Sequence, residues 1–233
     1  MRHFLTATLF IIYFAAINGQ DWTRVSDDWH FEAEMGKEPV SAQDTYKRIA
    51  GSPFLNDDFI EGSLITKDSI LYPDIPLRYD IYRDEMEFMV EGESVPRVIA
   101  TPQNFLFFRL DEKTFVHIAF LDGNTPKRGY FELLNRGECQ VLMRRRTDYA
   151  EPEGARGFDP AKPARFVQKR NSYFMRFNNQ VPEEIRLRRR NILSSFDEKK
   201  DEISGFVNEN NLSYRSLDDL IKMADYYNQL TKN

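Results

Sequence analysis

IPLRYDIYRDEMEFMV, residues 75–90, carries the pattern that decides the fold. Ile75, Leu77, Tyr79 and Ile81 alternate with Pro76, Arg78, Asp80 and Tyr82, and Met86, Phe88 and Val90 alternate with Glu85, Glu87 and Met89. A period of two sends successive side chains to opposite faces of an extended chain, so each half reads as a half-buried strand. Arg83-Asp84 turns the chain between them, and the unit is predicted to be a β-hairpin.

The same reading extends outward. Segments 105–110 and 114–121 flank Asp111-Glu112-Lys113 and are apolar on both faces, as expected of central strands covered on both sides. Segments 129–134 and 139–146 flank Asn135-Arg136-Gly137-Glu138, a third hairpin with a glycine in its turn. Segments 166–169 and 172–177, around Arg170-Asn171, read as a fourth. Between the last two lies 150–164, where Pro152, Pro160 and Pro163 lack amide donors; it is expected to stay out of the sheet as a mobile loop. After Pro182 the spacing becomes helical. Ile192, Leu193, Phe196, Ile203, Phe206 and Val207 share one side, interrupted near Asp197; Leu217, Leu220, Ile221, Ala224 and Tyr227 share another, started by Ser216 with Asp219 three residues on. Strands first and helices last predict an α+β fold. The expected organisation is a curved antiparallel sheet of hairpins over 54–181, a C-terminal helical segment over 182–233 and a polar arm over 20–53.

The first nineteen residues have a separate logic. Met1-Arg2-His3 begins positive, 4–17 carries no charged residue, and Gly19-Gln20 offers a small residue at a cleavage point. That is the three-part pattern of a secretory signal peptide. The apolar run falls short of the roughly 20 residues a membrane-spanning helix needs. An exported chain is expected, which argues against nucleotide metabolism, transcription and cytosolic redox work. Cys139, the single cysteine, cannot form an internal disulfide, so stability must come from the core. A formal charge of −5 gives no general attraction to nucleic acid or anionic lipid.

Few residues suggest chemistry. Beyond position 20 there are two histidines, His30 and His117, and no Cys-x-x-Cys or His-Glu-x-x-His spacing, so neither a metal nor a cofactor is indicated. His117, in FVHIAF, reads either as a base oriented by a carboxylate or as a core histidine. Cys139 reads as a partner for it or as a core filler. Asp57, Asp58 and Glu61 form the densest acidic cluster, readable as a glycosidase carboxylate pair or a solvated loop. Two arginine runs, 144–146 and 186–190, are candidate anion or partner contacts, with Arg144, Arg146, Arg188 and Arg190 singled out. Consecutive arginines of a strand point to opposite faces, so no run makes a patch by itself. Trp22 and Trp29, seven residues apart, can share one side of a helical turn as an anchor, or pack on the domain.

GSPFLNDDFIEGSL (51–64), PLRYDIYRDEMEF (76–88) and LDDLIKMADYYNQL (217–230) together resemble a family of exported Bacteroidota proteins of unknown function. The resemblance implies a bacterial envelope setting, with periplasm favoured, and carries over no functional residue. The expected function is that of a soluble, non-enzymatic envelope protein binding a protein or anionic glycan. The alternatives are an envelope hydrolase using His117 and a carboxylate, and an assembly factor for an outer-membrane machine.

Overall fold

The computed structural model describes residues 23–24, 46, 49–155, 157 and 160–232. Trp22, Trp29, His30 and the segment 1–19 lie outside them.

Among the described residues, ten strands form one strongly curled antiparallel path followed by helices, an α+β architecture. In chain order the strands are β1 (Thr23–Arg24), β2 (Ile60–Thr66), β3 (Ile70–Asp80), β4 (Glu85–Phe88), β5 (Arg97–Val98), β6 (Phe105–Leu110), β7 (Lys113–Asp122), β8 (Thr125–Leu133), β9 (Cys139–Arg144), β10 (Thr147–Ala150), β11 (Arg165–Gln168), β12 (Ser172–Phe177) and β13 (Glu183–Ile185). The path runs β13-β12-β9-β8-β7-β6-β2-β3-β4-β5, with β1 pairing in parallel beside the start of β3 and β10-β11 forming a separate ribbon. Bulges in β2, between Gly62 and Leu64 against β3 and between Ile65 and Thr66 against β6, strengthen the local twist and help the sheet curl. Gly62 sits at that bend because a Cβ there would lie 2.4 Å from the Arg109 carbonyl.

The 75–90 hairpin forms as read, Leu77 facing Phe88 and Tyr79 facing Met86. Leu77, Tyr79, Met86 and Phe88 join Phe108, Phe115 and Tyr130 in the first core cluster. The both-faced strands are also covered on both sides: Phe115 enters that cluster, while Val116 and Phe120 pack with Phe131, Leu142 and Phe174 in another. A buried Arg78–Glu87 ion pair, 2.7 Å apart, crosses β3 and β4. The Arg78 guanidinium is stacked against the rings of Phe54 at 3.8 Å and Phe59 at 4.3 Å. Its desolvated charge is therefore met by a carboxylate and by two ring faces.

Helices α1 (Arg189–Ser195), α2 (Lys200–Glu209) and α3 (Leu217–Leu230) follow, a 3-10 turn at Asp197–Lys199 making the interruption read near Asp197. Ser216 caps α3 by accepting from the Asp219 amide at 3.2 Å. The helices dock on the sheet: Ile192, Phe196, Ile203, Val207, Leu220, Met223 and Ala224 bury against Cys139, Val141, Met175 and Ile185. Buried Asn228 on α3 accepts from the Cys139 amide at 2.7 Å and donates to the Cys139 and Arg136 carbonyls. That triple bond set fixes the helix in register with the turn before β9.

Two expectations need correction. The fourth hairpin does not form: β11 pairs with β10, and β12 pairs with β9 and β13. Arg170-Asn171 has turn-like residues, but Phe166 is drawn into an aromatic group with Tyr46, Tyr82 and Tyr149, while Phe174 and Met175 enter cores on opposite faces. Tertiary burial outweighs the local turn signal. The segment 150–164 stays out of the main sheet, as expected, and within it Glu153 and Lys162 exchange two backbone hydrogen bonds of 2.9 Å that extend the β10-β11 ribbon. Its prolines occupy positions outside those pairings. The folded body also begins earlier than residue 54, since Ala50 hydrogen-bonds Ala164 and Phe166.

Candidate anion-binding cleft

The connection between α2 and α3 (210–216) runs beside the extended segment that enters α1. Residue 188 is extended, with φ −142° and ψ 139°, and it delivers the chain to the helix at Arg189. Leu187, Arg188, Arg189, Leu212, Ser213, Tyr214 and Arg215 line an open cleft of about 860 Å³ between these stretches. The half-buried Leu187 and Leu212 pack on the helical core and form its apolar floor. Arg188, Arg189 and Arg215 are exposed at its walls. Among the described residues, none of these three guanidinium groups has an ion-pair partner; Arg189 lies over the Tyr214 ring at 5.8 Å. The Tyr214 hydroxyl is buried and unpartnered among them.

The nearby carboxylate is already engaged. Asp219 accepts from the Ser213 amide at 3.0 Å and from Lys222 at 2.8 Å. The Lys222 hydrogen bond holds its pKa below the usual carboxylate range. Three like charges without an ion-pair partner among the described residues are an arrangement that an arriving oxyanion can complete.

Of the candidates read from sequence, Arg188 lines the cleft and Arg190, also exposed, follows one residue beyond it. The first run divides as strand alternation requires. Arg144 pairs with Asp84 at 2.8 Å and stacks on Phe120 at 4.3 Å, Arg145 pairs with Glu132 at 2.6 Å, and Arg146 is exposed. Arg144 is thus an internal tie, remote in role from a ligand contact. Arg215 and Tyr214 were not singled out by sequence. They lie more than twenty residues from Arg188, and only the packing of α1 against the α2–α3 connection brings them together.

His117 is half-buried beside the Tyr130 ring, 4.8 Å between centroids, with Nδ1 unpartnered among the described residues. Burial first, then the positive charges of Arg128 and Arg144, lower its pKa to about 4. The charges acting on it are cationic, so the carboxylate that would orient a catalytic base is not among them. An expected outcome follows for stability. The unfolded residue titrates near 6.5 and the folded one near 4, so the unfolded chain binds the extra proton between those values. This group's contribution is complete above pH 6.5 and is lost as pH falls toward 4. In melting curves from pH 7 to pH 4, His117→Gln should lose less stability than wild type; parallel curves would contradict the assignment.

Cys139 is fully buried and its thiol pKa is raised, chiefly by burial, so it is held as an unreactive thiol. Asp57 is hydrogen-bonded by Ser52, and its carbonyl accepts from Arg78, which makes it part of the sandwich around that guanidinium. Among the described residues no group of three or more His, Cys, Asp or Glu is placed to hold a metal, and no helix is long and apolar enough to cross a membrane. No protein-family model matches the chain, and neither a curated protein nor a solved structure matches it.

Proposed function

We propose that this is an exported, non-enzymatic binding protein of the bacterial envelope, which engages an anionic partner through its C-terminal helical segment. The observation that carries the reading is the convergence of Arg188, Arg189 and Arg215 on one cleft without ion-pair partners among the described residues. The chain as a whole carries −5, so the cleft is a local positive feature on an otherwise acidic protein. Export is supported by the charged, apolar and small-residue pattern of 1–19 and by the resemblance of segments 51–64, 76–88 and 217–230.

Retention on an immobilised polyanion such as dextran sulfate, at low salt and pH 7, tests the reading. Wild type should be retained despite its net negative charge and elute as salt screens the contact. Arg188→Gln combined with Arg215→Gln should elute near the void, while Arg146→Gln should behave as wild type. Equal retention of all three would remove the cleft from the function.

A further inference from the structure

We infer that the occupant of this cleft is a segment of acidic polysaccharide, whose oxyanions meet the three arginines while a sugar ring lies on the apolar floor; this rests on the binding reading above. The groups offered are donors. Arg188, Arg189 and Arg215 only donate, and Ser213 Oγ already accepts from the Arg215 amide at 3.2 Å, leaving its own proton to give. Such a lining suits a ligand rich in acceptors, such as carboxylate, sulfate or phosphate groups. About 860 Å³ falls at the upper end of the range for small-molecule clefts, too large for one isolated oxyanion and suited to several linked units.

The main chain separates a glycan from an acidic peptide. Peptides held in extended form gain affinity by pairing with free backbone groups of the receptor. Here four of the seven lining amides, those of Leu212, Ser213, Arg215 and Arg188, already have internal acceptors: Val207 O, the Asp219 carboxylate, Ser213 Oγ and Arg186 O. An extended peptide therefore finds few amides to pair with, and recognition falls mainly to side chains. Leu187, Leu212 and the Tyr214 ring supply a surface for the C–H face of a sugar, and the guanidinium groups supply bidentate partners for its acid groups.

Calorimetric titration of the full mature chain tests this with four probes: an oligogalacturonate, a sulfated heparin oligosaccharide, a polyglutamate peptide and a neutral glucose oligomer. One or both acidic oligosaccharides should bind, the carboxylate and sulfate arms separating the two oxyanion sources, and the neutral oligomer should not. Arg188→Gln and Arg215→Gln should each weaken binding about tenfold, the effect of losing one charge-assisted contact. Both sites are exposed, so melting temperatures should stay at the wild-type value and exclude misfolding as the cause. Arginine-dependent binding of polyglutamate, equal to or tighter than that of both oligosaccharides, would overturn the glycan and leave the anion cleft standing. Binding indifferent to the arginines, or no binding of any acidic probe, would overturn both.

Discussion

Leu220→Asp is expected to unfold the protein as a whole and not merely to detach its last helix. Leu220 is fully buried where α3 meets the sheet, in a cluster that also holds Cys139, Val141 and Met175 of β9 and β12. Removing a buried leucine side chain costs about 2–5 kcal/mol. An unpaired carboxylate in its place adds several kcal/mol or must remain protonated. Total stability for a domain is about 5–15 kcal/mol, so the substitution removes much or all of it. Because Asn228 joins α3 to the turn before β9 and the same core continues into β12, helix and sheet should melt together. Far-UV circular dichroism and tyrosine fluorescence should then lose signal in one transition, shifted far below wild type. Leu220→Met, close in volume, should cost under about 1.5 kcal/mol. A sheet that melts at the wild-type temperature in Leu220→Asp would mark the helices as an independent appendage and contradict the packing described above.

What could be read from sequence was whatever is local. The alternation at 75–90, the two-faced apolar strands around Asp111-Glu112-Lys113 and the Ser216 cap each depend on residues within one or two turns of each other, and each forms as expected. The miss at Arg170-Asn171 has the opposite character. The turn residues were present, but the partner of Phe166 is an aromatic group drawn from Tyr46, Tyr82 and Tyr149, over a hundred positions apart in the extreme case. The cleft is legible by half: the arginine run at 186–190 is visible as charge, whereas Arg215 and Tyr214 become its neighbours only through docking of the helices. Arg144 shows why charge alone misleads, since nothing near it in sequence announces Asp84, sixty residues earlier, as its partner.

That partnership supports the second large effect, because Asp84 clasps two separated parts of the curled sheet. The residue lies in the β3–β4 turn with φ 58°, a left-handed conformation aspartate tolerates better than most residues. Its carboxylate accepts from the Tyr79 hydroxyl at 2.7 Å, the Tyr130 amide on β8 at 3.2 Å and Arg144 on β9 at 2.8 Å. The site closes over Gly129, where a Cβ would lie 2.4 Å from the carboxylate and 3.2 Å from both terminal guanidinium nitrogens. Asp84→Ala leaves a buried phenol, a strand amide and a mostly buried guanidinium without their acceptor, and should cost about 2–4 kcal/mol. Gly129→Ala acts from the other side: its methyl group must displace the carboxylate, so it should cost about 1–3 kcal/mol by breaking the same bonds. Once Asp84 is alanine, the methyl has no carboxylate to displace, and Gly129→Ala should be close to neutral. Urea unfolding of both single variants and the double variant should therefore give a double that is little worse than Asp84→Ala alone. The implied coupling is about 1–3 kcal/mol, within the range found for residues in contact. Strictly additive losses would mean that Gly129 is required for some other reason and that the turn does not hold the sheet closed through its carboxylate.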